Sequence, residues 1–162
     1  VLLCPLDENL RRSTDGHPGL GLGLEERWTL PRNLELRVRG EWGRFPEGRD
    51  RTDAQVIHTR VERASLGVEG LLRGKAALER LSVGAGLYLL RWSVDSRNRF
   101  VPPVGEPVRA SGRSHWLRPG CGVLCTWRLG PDLELEGRLL WSRWGYEDRA
   151  TGAAGLGLTW QF

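Results

Sequence analysis

Apolar and polar side chains alternate through most of this chain. Near its end, Ala154, Leu156, Leu158, Trp160 and Phe162 hold one parity, and Gly155, Gly157, Thr159 and Gln161 hold the other. Strand side chains point to opposite faces with period two, so such a stretch predicts a half-buried β-strand. The pattern recurs at about 18–29, 33–45, 59–73, 78–95, 113–129, 133–145 and 150–162. Val1 to Leu6 completes the set as an eighth strand, truncated at its start and carrying Pro5. Short turn signals at Leu30-Pro31-Arg32-Asn33, Gly74-Lys75-Ala76 and Gly130-Pro131-Asp132 alternate with longer polar connections. Those run from Asp7 to Gly16, Pro46 to His58, Ser96 to Gly112 and Gly145 to Arg149, so all the long ones fall at one end. The expected architecture is all-β, an eight-stranded antiparallel up-and-down transmembrane β-barrel forming one domain over 1–162.

The facing of the apolar set decides between a membrane barrel and a soluble lipocalin-like ligand-binding barrel. That set includes Leu20, Leu22, Leu24, Leu34, Leu36, Val38, Trp42, Leu66, Val68, Leu72, Val83, Leu87, Leu117, Val123, Leu135, Leu139 and the last strand's five. An eight-stranded lumen is barely wide enough for side chains to fill, and so many Leu and Trp would overfill it. They are therefore expected to face lipid. Five alternate residues cover roughly 34 Å of strand, or about 26 Å of height once tilted, which suits a bilayer core. Trp28, Trp127 and Trp160 at the turn end, with Trp42 and Trp141 at the loop end, are placed to form aromatic girdles.

The other parity mixes glycines with Glu25, Arg27, Glu35, Arg37, Arg39, Glu41, Arg63, Glu69, Arg73, Arg118, Arg128, Glu134, Glu136 and Arg138. Facing inward, these residues would form a salt-bridged plug; the competing reading is a conduit for small ions. Charge pairing suggests the register. If the first short turn centres near Pro31, Arg27 faces Glu35 and Glu25 faces Arg37, while Gly23 and Gly21 lie opposite Arg39 and Glu41. Around the third turn Arg128 faces Glu134. Trp92, Trp116 and Trp144 break the parity rule near the loop end. Either they line the mouth as a ligand or partner patch, or a bulge near Leu89-Leu90 returns them to the girdle.

Composition adds exclusions. Mean hydropathy is −0.39, yet alternating faces hide an apolar half in the average. Lys75 is the sole lysine, and no basic run in this +4 chain marks a nucleic-acid stripe. Cys121 and Cys125 lie four apart on one strand, roughly 13 Å and too far to bridge. With Cys4 they read as small apolar residues. His17, His58 and His115 fall at the loop-end rim without ligand spacing, so no metal or cofactor is expected. Ser114-His115 are strand neighbours that point to opposite faces, which argues against a nucleophile–base pair and an enzyme.

The ending Leu158-Thr159-Trp160-Gln161-Phe162, with the strand pattern and loop asymmetry, resembles the small eight-stranded outer-membrane β-barrel proteins of Gram-negative bacteria. The resemblance implies an outer-membrane location and makes Phe162 a signal read by the barrel-assembly machinery. Arginines in the connections (Arg11, Arg12, Arg49, Arg51, Arg97, Arg99, Arg109 and Arg113) would meet membrane lipids and lipopolysaccharide phosphates. The 96–112 segment, with Val101-Pro102-Pro103-Val104 and Glu106-Pro107, is the candidate protein-contact loop. The expected function is a non-enzymatic structural or surface-binding barrel; the alternative is transport of small or apolar solutes.

Overall fold

A computed structural model describes the chain except residues 7, 53, 76, 77, 104, 145–148 and 162, and the side chains of 9, 143, 144, 149 and 150. In chain order the elements are β1 (Leu2–Pro5), α1 (Glu8–Ser13), β2 (Gly19–Leu30), β3 (Leu34–Arg44), β4 (Gly48–Arg51), β5 (Gln55–Arg73), β6 (Leu81–Phe100), β7 (Val108–Arg128), β8 (Leu133–Trp144) and β9 (Arg149–Trp160). Eight of the strands form a ring in the order β1-β2-β3-β5-β6-β7-β8-β9, every pairing antiparallel. The ring closes through β1 and β9, from Leu2 opposite Leu156 to Pro5 opposite Ala153. Closure removes edges within the ring, which is what permits a sheet to stand in an apolar medium.

Three features depart from the expected layout. First, β5, β6 and β7 run well past the apolar belt, so much of 46–58 and 96–112 is paired strand rather than loop. Both faces of a sheet above the belt meet polar surroundings, so the period-two signal fades there while backbone pairing continues. β4 extends this projection. Arg44 pairs with Glu62 but Gly48 with Thr59, a one-residue slip that makes a bulge where Pro46 has no N–H to donate. Second, the 7–16 connection holds α1. Third, the first hairpin is shifted by two residues: Leu30 opposes Leu34 across Pro31-Arg32-Asn33, with Arg32 and Asn33 left-handed at φ 64° and 62°. Consequently Arg27 faces Arg37, Glu25 faces Arg39, Gly23 faces Glu41 and Gly21 faces Gly43. A shift of two conserves parity, so every residue still points to its expected side. Arg128 does oppose Glu134.

The apolar set points outward: Leu22, Leu24, Leu66, Leu87, Leu117 and Leu158 are all exposed, as are Trp28, Trp42, Trp127, Trp141 and Trp160. Cys121 and Cys125 share that outer face. On the inner face several large side chains are seated over a neighbouring strand's glycine. A Cβ on Gly67 would stand 2.3 Å from the Tyr88 ring, and one on Gly120 would stand 2.4 Å from Leu90. Glycine is required at both places by this close approach.

Candidate functional site

The turn-end half of the interior is a charge network. Glutamates and arginines from β2 and β3 reach across the lumen to β8. Arg37 is fully buried and donates to Glu35 on its own strand and to Glu134 across the barrel at 3.0 Å. Glu134 also accepts from Arg27 at 2.8 Å. Arg39 donates to Glu25 at 2.8 Å and to Glu136 at 2.6 Å, and Glu136 lies 3.2 Å from the Arg138 guanidinium. Glu41 accepts from both Arg63 and Arg138, one on each carboxylate oxygen. Arg73 and Arg128, only partly buried, contact Glu35 at 3.3 Å and Glu134 at 3.8 Å. Arg118 is inward and half-buried farther up β7. Glu134, Glu136 and Glu41, each shared by two guanidiniums, link strands that are not neighbours, and such contacts offset charges that the lumen shields from water.

The loop-end half is mainly apolar, with Arg63 and Arg118 opposite Trp92 and Leu90. Leu3, Phe45, Val61, Leu90, Trp92 and Leu140 form one buried cluster, with Val1, Val94 and Trp116 packed against it. Leu10 of α1 closes the cluster from above. Gly48 lies so near Ser13 that a Cβ would meet the Ser13 carbonyl at 2.4 Å, and the Arg49 N–H donates to Asp15 at 2.9 Å. Thus α1 is tied to β4 over the mouth. Tyr88 joins the two halves: its ring belongs to the cluster and its hydroxyl donates to Glu69 at 2.9 Å.

For Trp92 this arrangement corrects both readings of the parity-breaking tryptophans. Pairing of β6 with β5 and β7 runs unbroken through Leu89 and Leu90, so no bulge there returns Trp92 to the girdle. Nor does Trp92 present a patch at the mouth. It is 1% exposed and stacks on Phe45 with ring centroids 6.5 Å apart. Trp116 lies opposite it on β7, half-buried. The side chain of Trp144 and the whole of Phe162 lie outside the described residues.

The projecting sheet carries the second concentration of charge. On its outward face, Arg51, Val56, Arg99 and Arg109 stand side by side across four strands, and Arg49, His58, Arg97 and Ser111 form the row below. A cavity of about 460 Å3 lies among Arg49, His58, Arg97, Arg99 and Arg109. His58 is 3.2 Å from Glu47. Arg11 and Arg12 are exposed on α1, and Arg113 is exposed on β7. Among the described residues, no three His, Cys, Asp or Glu side chains converge as a metal would require. Ser114 is half-buried and His115 exposed, as alternating facing dictates.

No known protein family matches this sequence, and no curated protein does. Among solved structures the chain is similar to Ail, the attachment invasion locus protein of Yersinia pestis, in its crystal structure. The two share 14% identity over 86% of this chain and 80% of that one, with a TM-score of 0.56. It is also similar to the backbone structure of the Yersinia pestis outer membrane protein Ail in a phospholipid bilayer nanodisc, at 15% identity, 99% and 97% coverage and a TM-score of 0.48. The fold is that of a small eight-stranded outer-membrane β-barrel.

Sequence reasoning placed the charged half of the interior by parity but, beyond Trp92 and Trp116, missed the apolar half. Phe45, Val61, Leu90, Trp92 and Leu140 sit at inward parity, and that was the available signal. Leu10 carried none, because a single leucine in a polar connection has no period to declare it.

Proposed function

We propose that this chain is a bacterial outer-membrane barrel that passes no solute through its centre. It acts as a non-enzymatic structural or surface-binding protein through the sheet that projects beyond the belt. The observation that carries the reading is the lumen filling: guanidinium–carboxylate contacts cross it from β2 and β3 to β8, and an apolar layer seals it above. The membrane location is supported by the outward belt of Leu, Val and Trp and by the likeness in fold to Ail, which is described as an outer membrane protein. The exposed arginines on the outward face of β4 to β7 are suited to the phosphates of lipopolysaccharide. The 101–107 tip between β6 and β7 is the segment best placed to contact another protein. Phe162 keeps its proposed role as an assembly signal on the strength of the sequence resemblance.

Planar-bilayer recording tests the closed centre. The wild-type barrel is expected to give no stable conductance, and replacing both Arg37 and Arg39 with Ala is expected to open a leak. A steady wild-type current of porin size overturns the plug. Cys121 and Cys125 test the location: in intact membranes a membrane-soluble maleimide is expected to label them and a water-soluble one to fail. The reverse result places the outward face in water.

A further inference from the structure

We propose that Glu69 carries a proton in the folded barrel and that this proton keeps Arg39 on Glu136, which makes the tie across the lumen depend on pH. The inference rests on the plug reading above. Every other glutamate of the lumen network accepts a hydrogen bond from at least one arginine. Glu69 does not, among the described residues. It is fully buried on β5, and its Oε1 accepts from the Tyr88 hydroxyl at 2.9 Å. Its Oε2 has no hydrogen-bond partner among the described residues.

Register alone would give Glu69 a cation. Arg37 stands directly opposite it on β3, but that guanidinium is turned to Glu35, Glu134 and Glu136. Arg39, also on β3, comes only to 4.0 Å from Glu69 Oε1, and its nitrogens donate to Glu25 and Glu136 instead. On β6 the opposed residue is Gly86, and Tyr88 supplies the one polar contact. Across the lumen, Glu136 and Arg138 of β8 act on Glu69 electrostatically. A Cβ on Gly86 would stand 2.8 Å from the Tyr88 hydroxyl and 3.0 Å from Glu69 Cγ, so glycine there makes room for the Tyr88–Glu69 contact.

The balance of buried charge agrees. Among the described residues five glutamates are buried against four arginines, and the partly buried pair Glu25 and Arg27 adds one of each. Arg73 and Arg128 stand at the turn-end opening, on Glu35 and Glu134, and Arg118 lies toward the loop end. The dry layer around Glu69 therefore holds one carboxyl group more than it has guanidiniums. An ionised carboxylate with one neutral donor and a bare oxygen is costly to keep there, whereas the neutral acid lacks only a partner for its O–H.

The proton has a consequence for the plug. Arg39 Nη1 donates to Glu136 on β8 and lies 4.0 Å from Glu69 on β5. Strands β3 and β5 are already paired along the wall, so a contact between Arg39 and Glu69 ties nothing new. The contact with Glu136 spans the lumen. Neutral Glu69 leaves Arg39 on that contact, and ionised Glu69 competes for the same nitrogen and loosens it. In the unfolded chain a glutamate is ionised above about pH 4.3. Folding then takes up a proton, and stability falls as pH rises until the folded barrel releases it.

Infrared spectroscopy of the full chain, folded in a detergent without ester groups, tests the proton directly. At neutral pH the wild type is expected to show a carboxylic-acid C=O band that Glu69→Gln removes. Tyr88→Phe is expected to move that band to higher frequency, because the carbonyl loses its donor. Absence of the band from the wild type, or its survival in Glu69→Gln, overturns the proposal. Urea unfolding in lipid vesicles between about pH 6 and 9 tests the linkage. Relative to Glu69→Gln, the wild-type folding constant is expected to fall about tenfold per pH unit until the proton is released. The same pH slope in both proteins overturns the proposal as well. In planar bilayers near pH 9 the wild type is expected to leak while Glu69→Gln stays closed, and equal closure of the two overturns the pH-dependent tie. A heat-modifiable gel shift reports folding of every variant. A barrel closed at neutral pH but lacking the acid band sinks this inference alone, whereas a steady wild-type current at neutral pH sinks the plug reading too.

Discussion

Around and below Tyr88 the inward side chains are chiefly guanidiniums and carboxylates, and in the half above it Phe45, Trp92, Leu90 and their neighbours predominate, with Arg63 opposite Trp92. The two halves differ in what holds each together. In the charged half the stabilising quantity is completeness, because each buried ion depends on partners contributed by a distant strand. In the apolar half it is volume, because contacts there are additive and undirected. A single truncation should therefore be felt as an orphaned charge in one half and as a cavity in the other.

Glu41 gives the largest expected effect, since its two oxygens serve Arg63 and Arg138. Glu41→Ala leaves both guanidiniums buried without it and is expected to cost about 5 kcal/mol, read from urea unfolding of the barrel in lipid vesicles. The comparison sharpens if Glu41, Arg63 and Arg138 are replaced together by apolar residues of similar volume. Completeness then no longer matters, and most of the lost stability should return. A triple variant as unstable as Glu41→Ala would break the comparison. Next comes Trp92→Ala in the apolar half, expected to cost about 3–4 kcal/mol and to be recovered by refilling with Phe rather than by any polar residue. The smallest effect is expected at the seam. Tyr88→Phe keeps the ring in the cluster and removes only the donor to Glu69, for about 1–2 kcal/mol. A loss comparable to that at Trp92 would mean that the hydroxyl, not the ring, is what joins the halves.

The ring and its facing were legible because a bilayer-facing strand must alternate over its whole height, and Leu20 to Leu24 or Leu133 to Leu139 cannot do so by accident. The inward parity of Arg37 and Glu136 was readable for the same reason. Register was harder. Pairing Arg27 with Glu35 looked right on charge alone, but Asn33 and Arg32 take up the left-handed turn and push the centre one residue along. Their charges are instead satisfied diagonally and across the lumen, at distances that no strand-pair rule reaches. The projecting sheet escaped notice because Arg97, Asn98 and Arg99 look like a loop when neither face must be apolar. Helix α1 escaped because its one buried apolar anchor, Leu10, has no periodic companion.

The hairpin of β6 and β7 also has a mechanical meaning. Its ladder runs without a slip from Leu81 opposite Trp127 to Phe100 opposite Val108, so the tip and the membrane-facing wall are one continuous beam. Anything that grips the 101–107 tip and pulls away from the barrel loads that beam along its length. Both strands are then drawn in the same direction, against the neighbours β5 and β8 that anchor them, and the inter-strand bonds carry the force in shear, many at once. A sideways pull on one strand alone would instead peel them in sequence. A tensile load entering through this hairpin is thus shared by many inter-strand bonds at once.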